Sequence, residues 1–407
     1  MLKKVSLEQL QVRMFVHELC GPWMDSPFWK TSFMVSDQAT LDKIRATDFE
    51  AVWIDTAKGR DVPVAELPPS VPQVAPTEAP KPVPKQVPAA MDEEMGRAAR
   101  IVDKSRQAVM LMFNEARMGG AVDVGNAQVL VEEISASVMR NPGALISLAR
   151  LKSADDYTYM HSVAVCALMI ALATRLGMDE VGIREAGMAG LLHDLGKAAT
   201  DPDILNKPGK LTDAEFAVVR QHPVLGYDLL LQAEGVSPIV LDVCRHHHEK
   251  MDGSGYPDRL AGDQISLYAR MGAVCDIYDA ITSDRPYKKG WCPAESLRKM
   301  ADWTDGHLDP VVFQAFVKGM GIYPVGTLVR LESGKLGVVL EQQVGKSLLK
   351  PKVRVFFSTR SKSYIAAELI DLARPGMQDK IVAHETAEKW GLKDIDRYWL
   401  NGGAPGH

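Results

Sequence analysis

The sequence predicts a mainly α protein, with an all-α domain between a small α+β module and a small β appendage. Three observations carry that reading. From residue 91 to about 321, apolar residues recur at i, i+3 and i+4 with charged residues on the outer faces, the period of helices that bury one stripe. After Tyr323 the period changes to two, the signature of strands. Between Pro63 and Pro88 fall nine of the 24 prolines, and no aromatic residue stands between Trp53 and Phe113. Such a stretch cannot bury a core and reads as an extended linker. The expected organisation is therefore a module at 1–60, a linker at 61–90, a helical domain at 91–321, and an appendage and tail at 322–407.

In the module, 12–19, 31–36 and 50–55 read as strands and 37–47 as a helix with Asp37 near its cap. His17 stands alone there and reads as structural. In the helical domain, 92–117 and 127–150 have amphipathic spacing. The stretch 160–176 (MHSVAVCALMIALATRL) is apolar nearly all round and is expected to be a buried central helix. The next helix, 179–195, carries Gly187, Ala189 and Gly190, which permit close helix approach. Thr212 and Glu215 match a capping box. Further helices are expected at 223–234, 237–250, 265–282, 293–303 and 309–319. In the appendage, VGTLVRLESGKLGVVLEQ and KPKVRVFFSTRSKSYIAA read as strands with turns at 333–334 and 359–363, followed by a helix and a loose end. The basic cluster Lys346, Lys350, Lys352, Arg354 and Arg360 reads as a solvated strand face.

Composition narrows the function classes. Of 407 residues, 46% are hydrophobic and 24% charged, ordinary values for a globular protein. A net charge of −5 gives no footprint for polymeric nucleic acid or an anionic membrane, so any polyanion must bind at a local site. The five cysteines (Cys20, Cys166, Cys244, Cys275 and Cys292) form no CxxC pair and are odd in number. That disfavours a disulfide framework and fits a reducing cytosol. The longest apolar run, 163–173, is well short of the roughly 20 residues of a membrane span. The N-terminus, with Lys3, Lys4, Glu8 and Arg13, lacks the apolar core of a secretory signal. A cytoplasmic location without a transmembrane segment is the expectation.

The chemistry lies in the histidines. Six of the ten fall between 161 and 248, and three are consecutive at 246–248. Clustered imidazole with carboxylate argues for a transition-metal site. The candidates are His161, His193, Asp194, His222, His247, His248 and Asp276, each on or beside an expected helix. One ion takes about four to six ligands, so seven favour two ions sharing a carboxylate. Asp194, directly after a histidine, is the natural bridge. The set contains no thiolate, which disfavours a structural zinc site. Ligand softness leaves Fe, Mn, Ni and Zn open.

The pattern His161…His193-Asp194…Asp276 resembles the HD phosphohydrolase superfamily. HHEKMDGSGYP (247–257), HDLGK (193–197), HPVLG (222–226) and DIYDAITSDRPYKK (276–289) resemble the HD-GYP family of cyclic di-GMP phosphodiesterases. The resemblance covers about 150–320, and the module and linker also look like an accessory domain that precedes it in bacterial proteins. The resemblance implies an HD-type helical fold. It also implies that His161, His193, Asp194 and Asp276 hold one metal and that Asp194, His222, His247 and His248 hold the other, usually iron or manganese. The choice of 247/248 over 246/247 rests on the resemblance, with His246 outside the set and partly exposed. Some members bind a third metal through a glutamate one turn before the first histidine. Tyr157 stands there, after Asp155 and Asp156, and a phenol is a poor ligand at neutral pH, so two metals are expected.

The implied reaction is phosphodiester hydrolysis, cyclic di-GMP to pGpG and/or GMP, by a metal-bridging hydroxide. Asp194 and Lys197 are the catalytic candidates. Lys197, four residues after His193, is placed on the same side by a continuing helix. By resemblance Arg285, Lys288 and Tyr256 bind substrate. Gly253, Gly255, Tyr256 and Pro257 shape a turn that helps recognise diguanylate cyclase (GGDEF) partners. Glu249, Asp252 and Asp279 are expected to orient imidazoles. Helix 92–117 is a candidate homodimer element. The competing readings are a hydrolase of another cyclic dinucleotide and a silent adaptor that responds to cyclic di-GMP. Silent members typically lose metal ligands, and none is lost here.

Overall fold

The computed structural model describes residues 2–7, 9–20, 33–35, 38–45, 51–56, 58–60, 88–151, 157–205, 207, 209–283, 290–342 and 347–400. The chain divides into two compact units, Met1–Val83 and Pro84–His407. In the first, β1 (Leu2–Ser6), β2 (Phe15–Cys20), β3 (Phe33–Met34) and β4 (Ala51–Asp55) form an antiparallel sheet in the order β1-β4-β2-β3, with helix α1 (Gln38–Arg45). Leu10, Met14, Val16, Ile44, Val52 and Ile54 are its core. The expected module lacked β1. Its sequence, LKKVS, shows only two apolar residues, of which Val5 is buried in that core. The cap proposed at Asp37, the side chain of His17 and all of the 61–90 linker but 88–90, which are irregular, lie outside the described residues.

The second unit opens with α2 (Met91–Arg117), α3 (Val124–Arg140) and α4 (Pro142–Arg150). The stretch expected as one helix over 127–150 is two. Asn141 is extended and its side chain accepts a hydrogen bond from the Gly143 N–H, so the chain breaks at Asn141 and restarts on Pro142. Glu94 of α2 is fully buried and accepts from Arg97, Ser137 and Arg140, each at 2.8 Å. That cluster fixes α2 against α3.

Helix α5 (Tyr157–Arg175) is the central element, buried from Met160 to Ile170 without a break. It is long and apolar enough to cross a membrane by length and composition, contrary to the short-run expectation. However, 72% of the qualifying window is buried inside the protein, which accounts for its hydrophobicity. Helix α6 (Glu180–Leu192), capped by Asp179, packs directly on it. A Cβ on Gly190 would stand 2.9 Å from the Cys166 Cα, so only glycine allows the two backbones this close. A short 3₁₀ turn (Leu195–Ala199) follows. After it come α7 (Pro202–Leu205), α8 (Asp213–Val219), α9 (His222–Leu231), α10 (Pro238–His246), α11 (Leu267–Thr282), α12 (Pro293–Asp302) and α13 (Pro310–Met320). Thr212 and Glu215 form the reciprocal capping box of α8.

The C-terminal part is a five-stranded antiparallel sheet of β5 (Leu328–Leu331), β6 (Lys335–Glu341), β7 (Lys352–Ser358), β8 (Ser363–Asp371) and β9 (Ile381–His384), ordered β8-β7-β6-β5-β9. The edge strand β9 was not expected, its four residues being too few to show alternation. The expected helix after the sheet is the short α14 (Arg397–Leu400), whose Trp399 is buried, and the expected loose end at 401–407 lies outside the described residues. Leu328, Val338 and Phe356 pack with Trp399 and with Met95 of α2, so the sheet shares its core with the helical body. The basic face is also partly spent. Lys352 pairs with Glu341 at 2.7 Å and Arg354 donates to the Tyr398 carbonyl at 2.6 Å, while Lys346 lies outside the described residues.

Candidate metal centre

Six elements converge on one buried point. α5 supplies His161 from its second turn. His193 ends α6, and Asp194 begins the 3₁₀ turn. That turn presses against α9 so tightly that a Cβ on Gly196 would lie 1.9 Å from the His222 carbonyl. Gly196 thus lets Asp194 reach His222, the first residue of α9. His247 caps α10 and His248 follows it, and α11 carries Asp276. His161, His193, Asp194, His222 and His247 are all at most 1% exposed, and Asp276 is 7% exposed.

The seven side chains form two groups around Asp194. His161, His193 and Asp276 bring ligand atoms within 4.8 Å of one another, and so do His222, His247 and His248. Asp194 Oδ2 lies 3.4 Å from both His161 Nε2 and His193 Nε2. Its other oxygen, Oδ1, lies 3.2 Å from His222 Nε2 and 3.8 Å from His247 Nε2. Asp276 Oδ1 is 2.9 Å from His161 Nε2, and its Oδ2 is 3.7 Å from His248 Nδ1.

The far sides of the rings fix their tautomers. Nδ1 of His193 faces the Gly190 carbonyl and that of His222 the Val219 carbonyl, both at 2.8 Å. His247 Nδ1 is 3.0 Å from the Val243 and Cys244 carbonyls. His161 Nδ1 is 2.5 Å from Asp279 Oδ2. A ring nitrogen facing a carbonyl or carboxylate oxygen donates, and these bonds turn each Nε2 inward toward the carboxylates and the other imidazoles. Nε2 of His222 and Nε2 of His247 meet at 3.3 Å. His193 Nε2 and Asp194 Oδ1 are buried with no aligned hydrogen bond among the described residues. Converging unpaired acceptors of this kind are costly in a dry interior unless a cation sits among them. The donor set therefore fits divalent metal.

The electrostatics agree. Burial pushes His193 and His247 below the ordinary imidazole value, and the neighbouring imidazoles add to that, so both stay neutral. Burial would raise Asp194, but Lys197 and His193 outweigh it and hold the carboxylate ionised well below its usual range. Burial is likewise outweighed at Asp276 by the bond to His161.

Lys197 sits within the 3₁₀ turn, not on a continuing helix, yet its Nζ reaches Asp194 Oδ2 at 2.5 Å. Tyr256 lies over His248, ring centroids 4.8 Å apart. Gly253 has φ of 76°, and a Cβ on Gly255 would meet the Glu249 Cα at 2.5 Å; the Tyr256–Pro257 bond is cis. Tyr157 stacks on His161 at 5.9 Å. Arg285, Lys288, Asp155 and Asp156 lie outside the described residues.

Two expected supporting roles need correction. Glu249 hydrogen-bonds to no imidazole among the described residues. Its buried carboxylate accepts from the Asp258, Arg259 and Leu260 N–H groups and so holds the loop after the glycine turn. Asp252 accepts from the Ser254 N–H within the turn itself. His246 turns away from the centre toward Asp242 and Asp258. The sequence reading passed over Arg220, whose guanidinium lies 4.3 Å from the Tyr256 ring centroid. A basic residue two positions before His222 was the available signal.

Residues 138–312 match the HD domain family, and residues 2–127 match a domain of unknown function, DUF3391. The chain is 57% identical over 407 residues to the cyclic di-GMP phosphodiesterase PA4108 of Pseudomonas aeruginosa, covering 98% of this chain and 96% of that protein. It is 40% identical over 180 residues to the cyclic di-GMP phosphodiesterase response regulator RpfG of Xanthomonas campestris pv. campestris, covering 42% and 47%. With the 3′3′-cGAMP-specific phosphodiesterase 1 of Vibrio cholerae it shares 35% identity over 170 residues, covering 42% and 39%.

Proposed function

The chain belongs to the HD-GYP family of HD-domain phosphohydrolases, and from that premise we propose that it hydrolyses cyclic di-GMP, to pGpG and onward to GMP, at a two-metal centre. The observation that carries the reading is the division of Asp194, with Oδ2 toward His161 and His193 and Oδ1 toward His222 and His247. One ion would be held by His161, His193, Asp194 and Asp276, the other by Asp194, His222, His247 and His248. Iron or manganese is the proposed pair, on the resemblance to the family. When bound, the ions supply Lewis acidity and an acidified water as nucleophile.

This chain's own residues do the rest. The fixed Nδ1 bonds present Nε2 of four imidazoles inward without rotamer search. Lys197 offers an ammonium beside Asp194, where negative charge develops on the phosphoryl oxygens. Tyr256, with Arg220 stacked on it, offers a flat aromatic surface beside His248 for a guanine base. Burial raises the Tyr256 phenol, which stays protonated and can donate. Arg285 and Lys288 are proposed phosphate contacts. The glycine turn at 253–257 is a proposed contact for diguanylate cyclases, α2 with exposed Leu111 a proposed dimer element, and the cytoplasm the proposed location.

The test is incubation of Mn²⁺- or Fe²⁺-loaded protein with cyclic di-GMP, with 3′3′-cGAMP as a parallel substrate, and chromatography of the products. The expected result is pGpG and GMP from cyclic di-GMP, with turnover lost in Asp194→Ala. Absence of both products under reducing conditions would contradict the reading, and preferential cleavage of 3′3′-cGAMP would move it to the mixed dinucleotide.

A further inference from the structure

Behind the metal centre, between α3, α4, α5, α11, α13 and the sheet, lies a cavity of ≈ 670 Å³. That is the size of an ordinary small-molecule site. Much of its wall is aliphatic, with Val138, Met139, Ile146, Leu168, Met320 and Val325, and polar side chains such as Asn141 and Thr282 interrupt it. Several of its charged residues are already committed. Arg140 pairs with Glu94, Glu341 with Lys352, and Asp279 with His161. Arg150, Arg175 and Lys318 also line it, and none has a carboxylate partner among the described residues. Arg175 and Lys318 are exposed, and Arg150 is half-buried with its guanidinium over Trp399.

A second observation lies deeper. Tyr278 of α11 lines the same cavity and is only 3% exposed, yet its hydroxyl has no hydrogen-bond partner among the described residues. Its ring is fixed edge-on to Phe316, and the charge of Arg150 acts on its hydroxyl. The hydroxyl adjoins an open volume and a cation, so an occupant of that volume can accept its hydrogen bond. An aliphatic wall with uncommitted positive charge suits neither a cation nor a sugar. It suits an anionic head on an apolar body.

We propose that this cavity is a regulatory site for a small amphipathic anion, a carboxylate on an aliphatic chain, whose head is received by Arg150 and Tyr278. Arg175 and Lys318 draw the anion in, and the aliphatic wall takes its tail. Tyr278 and Asp279 follow Asp276 on α11, and Asp279 holds His161, so an occupant bears on the helix that carries part of the metal centre. The binding claim stands apart from the phosphodiesterase reading. The regulatory claim rests on it.

The test is calorimetric titration of the metal-loaded full chain with decanoate below its micellar concentration. Acetate and 1-decanol serve as charge-only and tail-only probes. One decanoate per chain is expected, with both partial probes at least tenfold weaker. Tyr278→Phe, which removes only the hydroxyl, is expected to weaken decanoate about tenfold, as for a hydrogen bond to a charged group. Ala171→Trp, which fills the cavity from α5, is expected to abolish binding, its fold being checked by circular dichroism. Should that variant not fold, Tyr278→Phe decides alone. No binding, unchanged binding in folded variants, or 1-decanol as tight as decanoate would each overturn the site. Saturating decanoate should change turnover at least twofold; unchanged turnover with binding intact would overturn its regulatory role.

Discussion

At the scale of single residues, the metal centre depends on bonds made behind its ligand atoms. Asp279 holds His161 Nδ1 while lying outside the ligand set. Replacing it by Asn keeps the shape but offers a neutral acceptor. Asp279→Asn should therefore weaken metal binding about 10- to 100-fold, read by competition with a chelator, while far-ultraviolet circular dichroism stays unchanged. Equal metal affinity in the two proteins would remove Asp279 from the account. Arg220 stands on the other side of the site, over Tyr256. Arg220→Ala should raise KM for cyclic di-GMP about tenfold and leave kcat within about threefold, as for a contact made equally in the ground and transition states. A fall in kcat alone would assign it a different part. The ligand types and their spacing were legible in the sequence, because His-Asp and His-His pairs at helix ends are rare in combination. The work of Glu249 was not. Its partners are three backbone N–H groups 9 to 11 residues ahead, and a folded loop is needed to bring them there.

At the scale of elements, glycine and buried charge set how the helices meet. Gly196 lies where a Cβ would strike the His222 carbonyl and the Gly226 N–H. Gly196→Ala should therefore force the 3₁₀ turn away from α9 and separate Asp194 from His222. The expected signature is loss of the metal held by His222, His247 and His248 with the helical content retained; full metal retention would contradict it. Glu94 is fully buried among Arg97, Ser137 and Arg140. Glu94→Ala would leave Arg140 without its carboxylate, and a loss of about 3 kcal/mol in unfolding free energy is expected, measured by urea denaturation. A loss under about 1 kcal/mol would make the cluster incidental. Helix identity was largely legible because α5, α9 and α11 carry dense apolar patterns. The break at Asn141-Pro142 was signalled locally but masked by continuous apolar spacing on both sides. Strands β1 and β9 were illegible because each is defined by the neighbours it pairs with, β4 and β5.

For the whole molecule, acidity and metal act on the same buried groups. His193, His247 and His248 are held below the ordinary imidazole value of 6.5, so below that pH the unfolded chain takes protons that the folded one refuses. Their contribution is present above 6.5 and lost as pH falls. His161 and His246 are raised, so theirs is complete below 6.5 and lost as pH rises through their folded values. The metal-free protein should thus be most stable near pH 6.5. Its urea midpoint should fall toward pH 5 and more gently above 7; a midpoint still rising at pH 5 would contradict these assignments. Whether one carboxylate divides two ions is decided by counting metal. Elemental analysis of protein purified without oxygen should give two transition-metal ions per chain, one in His222→Ala, and one or none in Asp194→Ala. A wild-type value of one or zero, or two ions retained in Asp194→Ala, would contradict it.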